Sequence, residues 1–600
     1  MVPTIQYLRG HKFALTFILV ILYQFLCALQ GFDLSDEGWG MYFYQQIFKN
    51  PECVIAQMPY WLTGIIGGAW NYLLPQGGYL GTRVLGILLV TGTFCLSYTF
   101  LKKSIRSGWL LVGLVIQIII VAGDPKPYGY NSLTVFFVLL ALLAFLRGLE
   151  SNKLHWLFGG GLLLGINVFV RLPNIAILPV MLLIPLYLYE KDSQWHFFDR
   201  RLWMGILGGV LGIVVMLATI YIGGYWPLFQ EAILGVSDSA SDVNNSHELS
   251  RMIVQYASNY KNTIGVGAVV TASGILYAWI KNKDCSRAFR TVVDILFIIL
   301  LAVFFLCTNS SLRNIDHYFI HFISYVGLAL ILFRTPKTKL RLRYLAWAAL
   351  LMIILIPLGS DRGIVTIWVS TWLALPLAVF SLFHYLDGRG WQGWMSRLPI
   401  DRNLVKRYGY MLFAVFIGVG IYQDDNCAYY DPGSRLQKTH AINNEYCRFI
   451  YTVPYRAELM NNLLPVLKRY VKPNDYLMVY NFMPGINYLT DTRSYISNCW
   501  LWCLSGSEME EEFKAAKIAG RPLPIVLRHH FRATSQWQPY DPSFIDSNRT
   551  RDDYFSRYDQ VKAINDFLQT NKYKRAWTNG YFDILLPPTL PTQGSGALKL

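Results

Sequence analysis

Thirteen apolar runs occupy the first 422 residues, near 13–29, 81–101, 109–123, 130–146, 156–170, 174–189, 202–223, 263–280, 291–307, 317–333, 344–358, 364–385 and 408–422. Runs of this length and continuity predict membrane-spanning helices, although several fall short of the ~20 residues that a straight span requires. Between the first two runs, residues 30–80 form the first external loop and predict two surface helices, 38–49 and, after Pro59, 59–74. The second of these is amphipathic and aromatic, as suits a helix lying in the interface. Residues 224–262 predict a further loop on the same side, rich in Ser, Asn and Asp. Beyond residue 422 the pattern turns polar. Helical periodicity is expected at 455–471, 508–519 and 558–571, and strands at 476–480, 525–528 and 581–586. The fold class expected is a polytopic α-helical membrane protein of about 13 transmembrane helices, residues 1–422. A soluble extracytoplasmic α/β domain, residues 423–600, is expected to follow.

Composition agrees. Of 600 residues, 54% are hydrophobic and 15% charged, with 18 Trp and 39 Tyr available for interfacial belts. A formal charge of +16 would suit a polyanionic partner, but its distribution argues against nucleic acid. The basic residues gather at every second connection: Lys102, Lys103 and Arg106; Lys191, Arg200 and Arg201; Lys281, Lys283, Arg287 and Arg290; Arg334 to Arg343; Arg389 to Arg407. This is the positive-inside pattern, and it places the N-terminus in the cytoplasm and the C-terminal domain outside. The first run follows Arg9 and Lys12 without a small-residue cleavage site, so it is read as an anchor and not as a signal peptide.

Three carboxylates, Asp33, Asp36 and Glu37, stand where the first run ends. Helix capping by Ser35 or Asp36 explains one acid comfortably and three less well. Asp124 lies in a second short external segment with Lys126, and a solvated turn before Pro125 explains it equally well. Cations on the external side are few: Arg83, Lys126, Arg171 and Arg313, with His317 and Tyr318 close behind. Cys427, Cys447, Cys499 and Cys503 fall in the C-terminal domain. An even number in that setting favours disulfides, and the Cys499–Cys503 spacing lacks a second ligand pair for zinc. Asn309 and Asn548 begin glycosylation-type triplets, which arise often by chance.

Asp36-Glu37 opening the first external segment, the stretch Met-Pro-Tyr-Trp-Leu-Thr-Gly-Ile-Ile-Gly-Gly-Ala-Trp from Met58, and Gly-Gly-Tyr-Leu-Gly-Thr-Arg-Val from Gly77 resemble one family. It is the C-type (GT-C) membrane glycosyltransferases, of the protein O-mannosyltransferase and aminoarabinose-transferase branch. The resemblance implies a GT-C-like fold and inverting transfer of a sugar from a polyprenyl-phosphate donor to a lipid, glycan or protein acceptor outside the cytoplasm. It implies Asp36 as the base, with Glu37 orienting the loop or helping to hold a divalent cation, and Asp33 beside them. By the same resemblance Asp124, Lys126, Arg83, Arg171, Arg313, His317 and Tyr318 face substrate, the cations toward the donor phosphate. Snorkelling to headgroups is the alternative for each cation. Where relatives carry a His, Glu or Lys ahead of the Pro, this chain has Gln57 and Met58, which leaves a metal requirement open. No other cofactor is implied. A polyprenyl-linked glycan ligase or polymerase, a lipid-linked sugar transporter and a scaffold are the competing readings. The transporter lacks the internal repeat that it usually shows. A bacterial inner membrane with a periplasmic domain is the simplest location; an endoplasmic reticulum lumen satisfies the same charge pattern.

Overall fold

The computed structural model describes residues 12–105, 107–121, 127–241, 249–283, 286–306, 315–360, 362–387, 401–428, 430–533, 536–539 and 558–588. Asp124, Lys126, Arg313, Asn309 and Asn548 lie outside them. Each apolar run coincides with helix. Among the described residues, eight helices are long and apolar enough to cross a membrane: Gly78–Leu101, Tyr130–Ser151, Leu172–Asp192, Arg200–Ile222, Ser250–Lys281, Arg287–Leu306, Ile315–Arg334 and Arg402–Asn426. Shorter apolar helices are Lys12–Ala28, Gly108–Val121, Leu154–Asn167 and Ala374–Tyr385. The chain is an integral membrane protein. Four helices position the site and are numbered here: α1 (Lys12–Ala28), α2 (Asp36–Gln46), α3 (Trp61–Leu73) and α4 (Gly78–Leu101).

Three segments depart from the apolar pattern. The run expected at 174–189 starts as a 3-10 helix, Leu172–Leu182, because Pro173 and Pro179 remove donors from the α ladder. The run expected at 364–385 is broken into Gly363–Val365, Ile367–Ser370 and Ala374–Asp387. The segment expected as a loop at 224–262 is largely helical, with Trp226–Ser241 followed by Leu249–Lys281. Phe229 and Ala232, three apart, bury one face of the first of these helices, a periodicity hidden among Ser, Asn and Asp.

Glycine sets the tightest packing. Helix Leu154–Asn167 crosses Arg200–Ile222 so closely that a Cβ on Gly161 would sit 1.9 Å from the Gly205 carbonyl oxygen, and one on Gly165 2.1 Å from that of Gly209. Small residues let membrane helices meet backbone to backbone, where dispersion replaces a hydrophobic drive that lipid does not supply. Gly161→Val should therefore destabilise the bundle by at least ~1–3 kcal/mol of overpacking. A melting temperature in detergent equal to that of the parent would show that this crossing tolerates separation.

Contacts between connections sort them into two sets. Arg341 meets Glu150 at 2.6 Å, Arg343 meets Glu190 at 2.6 Å and Lys337 meets Ser193 at 3.0 Å, while Asp294 holds Lys281 at 2.8 Å and also Arg407. These are the basic connections. In the other set Arg171 reaches the carbonyls of Ile356 and Leu358, Asn259 donates to that of Arg362 at 2.9 Å, and Arg362 donates to Tyr430 at 3.3 Å.

The C-terminal region is a mixed five-stranded sheet. In chain order its strands are β1 (Tyr476–Tyr480), β2 (Arg493–Ser494), β3 (Ile525–His529), β4 (Lys574–Thr578) and β5 (Phe582–Leu586), and their spatial order is β4-β5-β3-β1-β2. β1 lies parallel to β2 and β3, and β5 runs antiparallel to β3 and β4. Alternation sends Leu477, Val479, Leu527 and Ile584 to one face and Met478, Val526 and Leu585 to the other. The second face is covered by Gly506–Ile518 and Tyr558–Thr570. Ser505 and Glu508 start the former with a capping box. The first face shares one core with Phe32, Tyr42 and Phe43 of the first external segment.

Candidate functional site

Residues 29–34 leave α1 as an extended strap gripped by the C-terminal region. Gly31 donates to the Tyr451 carbonyl at 2.9 Å, Tyr451 donates to that of Leu29 at 2.8 Å, and Gly485 donates to that of Leu34 at 2.9 Å. Gly31 turns at φ +89°, against Ala428. One turn later Gly38 meets Gly485 so closely that a Cβ would lie 2.6 Å from its Cα. A strap seated this firmly gives α2 a fixed starting point.

The three acids begin α2, and the structure gives them three different environments. Asp33 caps the helix: its carboxylate accepts from the N–H of Ser35 at 2.7 Å and of Glu37 at 2.9 Å. Of the two capping candidates read from sequence, Ser35 or Asp36, Ser35 holds the N-cap position but makes no side-chain cap, and Asp36 is the first residue of the helix. Glu37 is buried and accepts two parallel bonds from Arg83 of α4, 2.7 Å from Nε and 2.6 Å from Nη2. Arg83 is fully buried and also donates to the carbonyls of Ala28, Gly31 and, at 3.4 Å, Gln30. Its fork is thus occupied by protein, which corrects the expectation that Arg83 faces a donor phosphate: it fastens α4 to the end of α1 and to α2. Asp36 alone of the three is exposed.

Burial, then the neighbouring Asp36 carboxylate, push the Asp33 carboxyl from 3.8 up to about 8, against the pull of its two N–H donors. Between those two pH values the folded chain holds a proton that the unfolded chain has released. The contribution of Asp33 to stability is therefore full below pH 3.8 and is lost as pH rises through about 8. Melting temperature should fall from pH 5 to pH 8.5 by more in the parent than in Asp33→Asn. Parallel falls in the two proteins would remove Asp33 as the cause.

Around Asp36 stand groups that the sequence did not single out. The negative charge of Asp36 is the largest influence holding the Tyr430 phenol protonated. Tyr430 adopts φ +54°, a left-handed backbone that costs a non-glycine residue roughly 1 kcal/mol or more. Arg362 is exposed and donates to the Tyr430 hydroxyl at 3.3 Å, with charge that opposes the influence of Asp36 on that phenol. Arg362 lies in a connection of five residues, 359–363, between apolar runs, where only its charge marked it and the basic-cluster pattern drew attention elsewhere.

Arg171 is buried beside the same connection. One terminal nitrogen donates to the carbonyls of Ile356 and Leu358 at 3.3 and 3.2 Å, its guanidinium lies 5.9 Å from the Tyr130 ring centre, and its Nε has no partner. Tyr318 is buried, and its hydroxyl donates to Asn259 at 3.2 Å. Asn259 in turn holds the Arg362 carbonyl. Tyr318 is thus bonded to the side chain that supports the Arg362 connection. His317 pairs with Asp316 at 3.5 Å and meets Trp368 edge to face. Of the expected residues, Asp36 is exposed, Arg171 lies beside the Arg362 connection, and Arg83, Glu37, Asp33 and Tyr318 are buried.

No cluster of three or more His, Cys, Asp or Glu suited to a metal occurs among the described residues. Asp33 and Glu37 are committed as above, and Gln57 is buried and bonded to the Cys499 thiol at 3.4 Å. Asp36 by itself falls short of the several oxygen ligands that a hard divalent cation takes. The donor set described does not fit a metal. The thiols of Cys447 and Cys499 are free and buried, contrary to the disulfides expected there. Burial pushes both upward, away from reactivity.

No family model matches the chain, and no curated protein matches it. Two solved structures of the oligosaccharyltransferase of Archaeoglobus fulgidus are similar to it. One, tethered by a disulfide to an acceptor peptide containing the NVT sequon, superposes with a TM-score of 0.45 at 10% identity, over 87% of this chain and 70% of that one. The other, in complex with Zn and sulfate, gives a TM-score of 0.42 at 11% identity, over 86% and 68%.

Proposed function

We propose that the chain is an inverting, GT-C-like glycosyltransferase that takes a sugar from a polyprenyl-phosphate donor on the extracytoplasmic face of a bacterial inner membrane. The observation that carries this reading is the separation of the three acids. Asp33 and Glu37 are buried in structural roles, while Asp36 is exposed at the N-terminus of a locked helix with Tyr430 and Arg362 nearby. Thirteen spans with a cytoplasmic N-terminus fit the two sets of connections, and the α/β domain of residues 423–600 then shares the side of Asp36.

In this reading the acceptor hydroxyl loses its proton to Asp36 as its oxygen bonds to the anomeric carbon. The bond from that carbon to the phosphate oxygen breaks on the opposite face, and the lipid phosphate leaves with the electron pair. One carboxylate suffices because phosphate already leaves well, unlike the alkoxide of a glycoside, which needs an acid partner. Arg362 and Arg171 stand ready for the charge that develops on phosphate, the helix dipole at α2 favours the ionised base, and the protonated Tyr430 supplies a hydroxyl donor. No step runs through a metal. The acceptor is a lipid, glycan or protein hydroxyl.

The test is transfer of radiolabelled sugar from a panel of polyprenyl-phosphate sugars in membranes containing the full chain. Label should move from one donor into a product absent from membranes lacking the chain. Movement of intact donor across sealed vesicles without transfer would replace this reading with a transporter.

A further inference from the structure

On α2 only Asp36 is exposed, and Trp39, Gly40 and Gln45 are half-buried; Asp36, Trp39 and Gly40, three and four residues apart, share one helix face. Trp39 is linked to further half-buried rings. Tyr60, just ahead of α3, meets it edge-on at 5.5 Å between ring centres, and Tyr130 lies against Tyr60 at 4.6 Å. Trp500 of the C-terminal region stands 6.3 Å from Trp39, and Trp502 stands 5.5 Å from Trp500. Three parts of the chain remote in sequence therefore contribute to one aromatic wall beside the exposed carboxylate.

The polar groups along the wall match a particular ligand chemistry. The Trp500 indole N–H is buried and without an acceptor. At the Tyr130 end the nine-tenths buried Arg171 carries an Nε, also without a partner, 5.9 Å being the distance from its guanidinium to the ring centre. Buried donors left unmade cost ~1–3 kcal/mol each, so they point to a missing acceptor. A lipid tail would bring no acceptor to them, and a bare phosphate would leave the five rings without use. A saccharide ring has both features: an apolar C–H face for the rings and hydroxyl oxygens at its rim for the donors.

We infer that Trp39, Tyr60 and Trp500 form a saccharide-stacking subsite beside Asp36, completed by the C-terminal region and edged by the Trp500 and Arg171 donors. The inference rests on the transferase reading for its place in a reaction but not for binding itself. The sugar seated there belongs to the donor or to a glycan acceptor, and kinetics separate the two.

The experiment uses the full chain in detergent and saturation-transfer NMR with methyl glycosides of glucose, galactose, mannose, N-acetylglucosamine and arabinose. Transfer kinetics are measured in parallel with the polyprenyl-phosphate panel. Ring protons of at least one glycoside should receive saturation from the parent. Trp500→Ala and Trp39→Ala should lose it, and Trp500→Phe, which keeps a stacking face, should retain most of it. A stacking contact of this kind should raise one KM about tenfold in Trp500→Ala with little change in kcat. A rise in the donor KM assigns the donor sugar, and a rise in the acceptor KM assigns a glycan acceptor. Glycoside binding that depends on Trp500, in a chain that transfers nothing, would uphold the subsite and overturn the transferase. Transfer that persists with both KM values unchanged in Trp500→Ala and Trp39→Ala would overturn the subsite and leave the transferase standing. Variants that only melt earlier, with KM and saturation intact, would show the rings to be packing between the first segment and the C-terminal region, and would also overturn it.

Discussion

Asp36→Asn, at expression matched to the parent, should lower transfer at least ~10²-fold, the smallest loss usual when a positioned general base is removed. The substitution is close to isosteric and sits at an exposed position, so melting should barely change. The helix start does not depend on it, because the cap comes from Asp33. That combination makes the result easy to interpret: lost activity with retained stability is the signature of chemistry at Asp36. The acceptor KM should stay within a few-fold, since the proton moves mainly in the transition state. Residual activity within threefold of the parent would remove Asp36 as the base. Asp33 and Glu37 would be poor replacements, one being held by two backbone donors and the other by Arg83.

Arg83→Met should cost ~3–5 kcal/mol, because it leaves the Glu37 carboxylate buried without its partner. Both side chains are essentially inaccessible, at 0% and 1% exposure, so no solvent screens the loss. Arg83→Lys should recover little, since an ammonium cannot reproduce the two parallel bonds to Glu37 together with those to three carbonyls. Arg83→Met combined with Glu37→Leu should regain more than half of the lost stability, because a buried pair often exchanges for apolar residues at little net cost. Melting in detergent of the parent, Arg83→Met, Glu37→Leu and the double variant measures the coupling. Transfer should fall in Arg83→Met alongside stability, since α2 carries Asp36. A variant that melted like the parent but lost transfer would return Arg83 to the donor phosphate, as the family resemblance implies.

The pattern of apolar runs was enough to place nearly every helix. It works because lipid offers backbone groups no partner, so a long apolar run must be helical. The surface helices at 38–49 and 59–74 correspond to Asp36–Gln46 and Trp61–Leu73. The expected strands at 476–480, 525–528 and 581–586 correspond to β1, β3 and β5, since a half-buried strand must alternate. The short edge strand Arg493–Ser494, with two residues, carries too little pattern to be read.

The chemistry-bearing residues divide differently. Sequence located three acids at the mouth of the first helix, and residue type and position sufficed for that. It could not say which carboxylate was open, because burial belongs to the neighbours. Arg83 comes from 46 positions away to take Glu37, and two backbone N–H groups take Asp33. Nor could it bring Arg362 and Tyr430, 68 positions apart, to one point, or set Trp500 beside Trp39. What the sequence determined alone was the kind of protein and the place of its acids, because solvent and lipid act on each segment locally. The tertiary structure decided which acid stands open and what surrounds it, because only packing brings charges and rings from distant segments together and removes the water that would otherwise keep them independent.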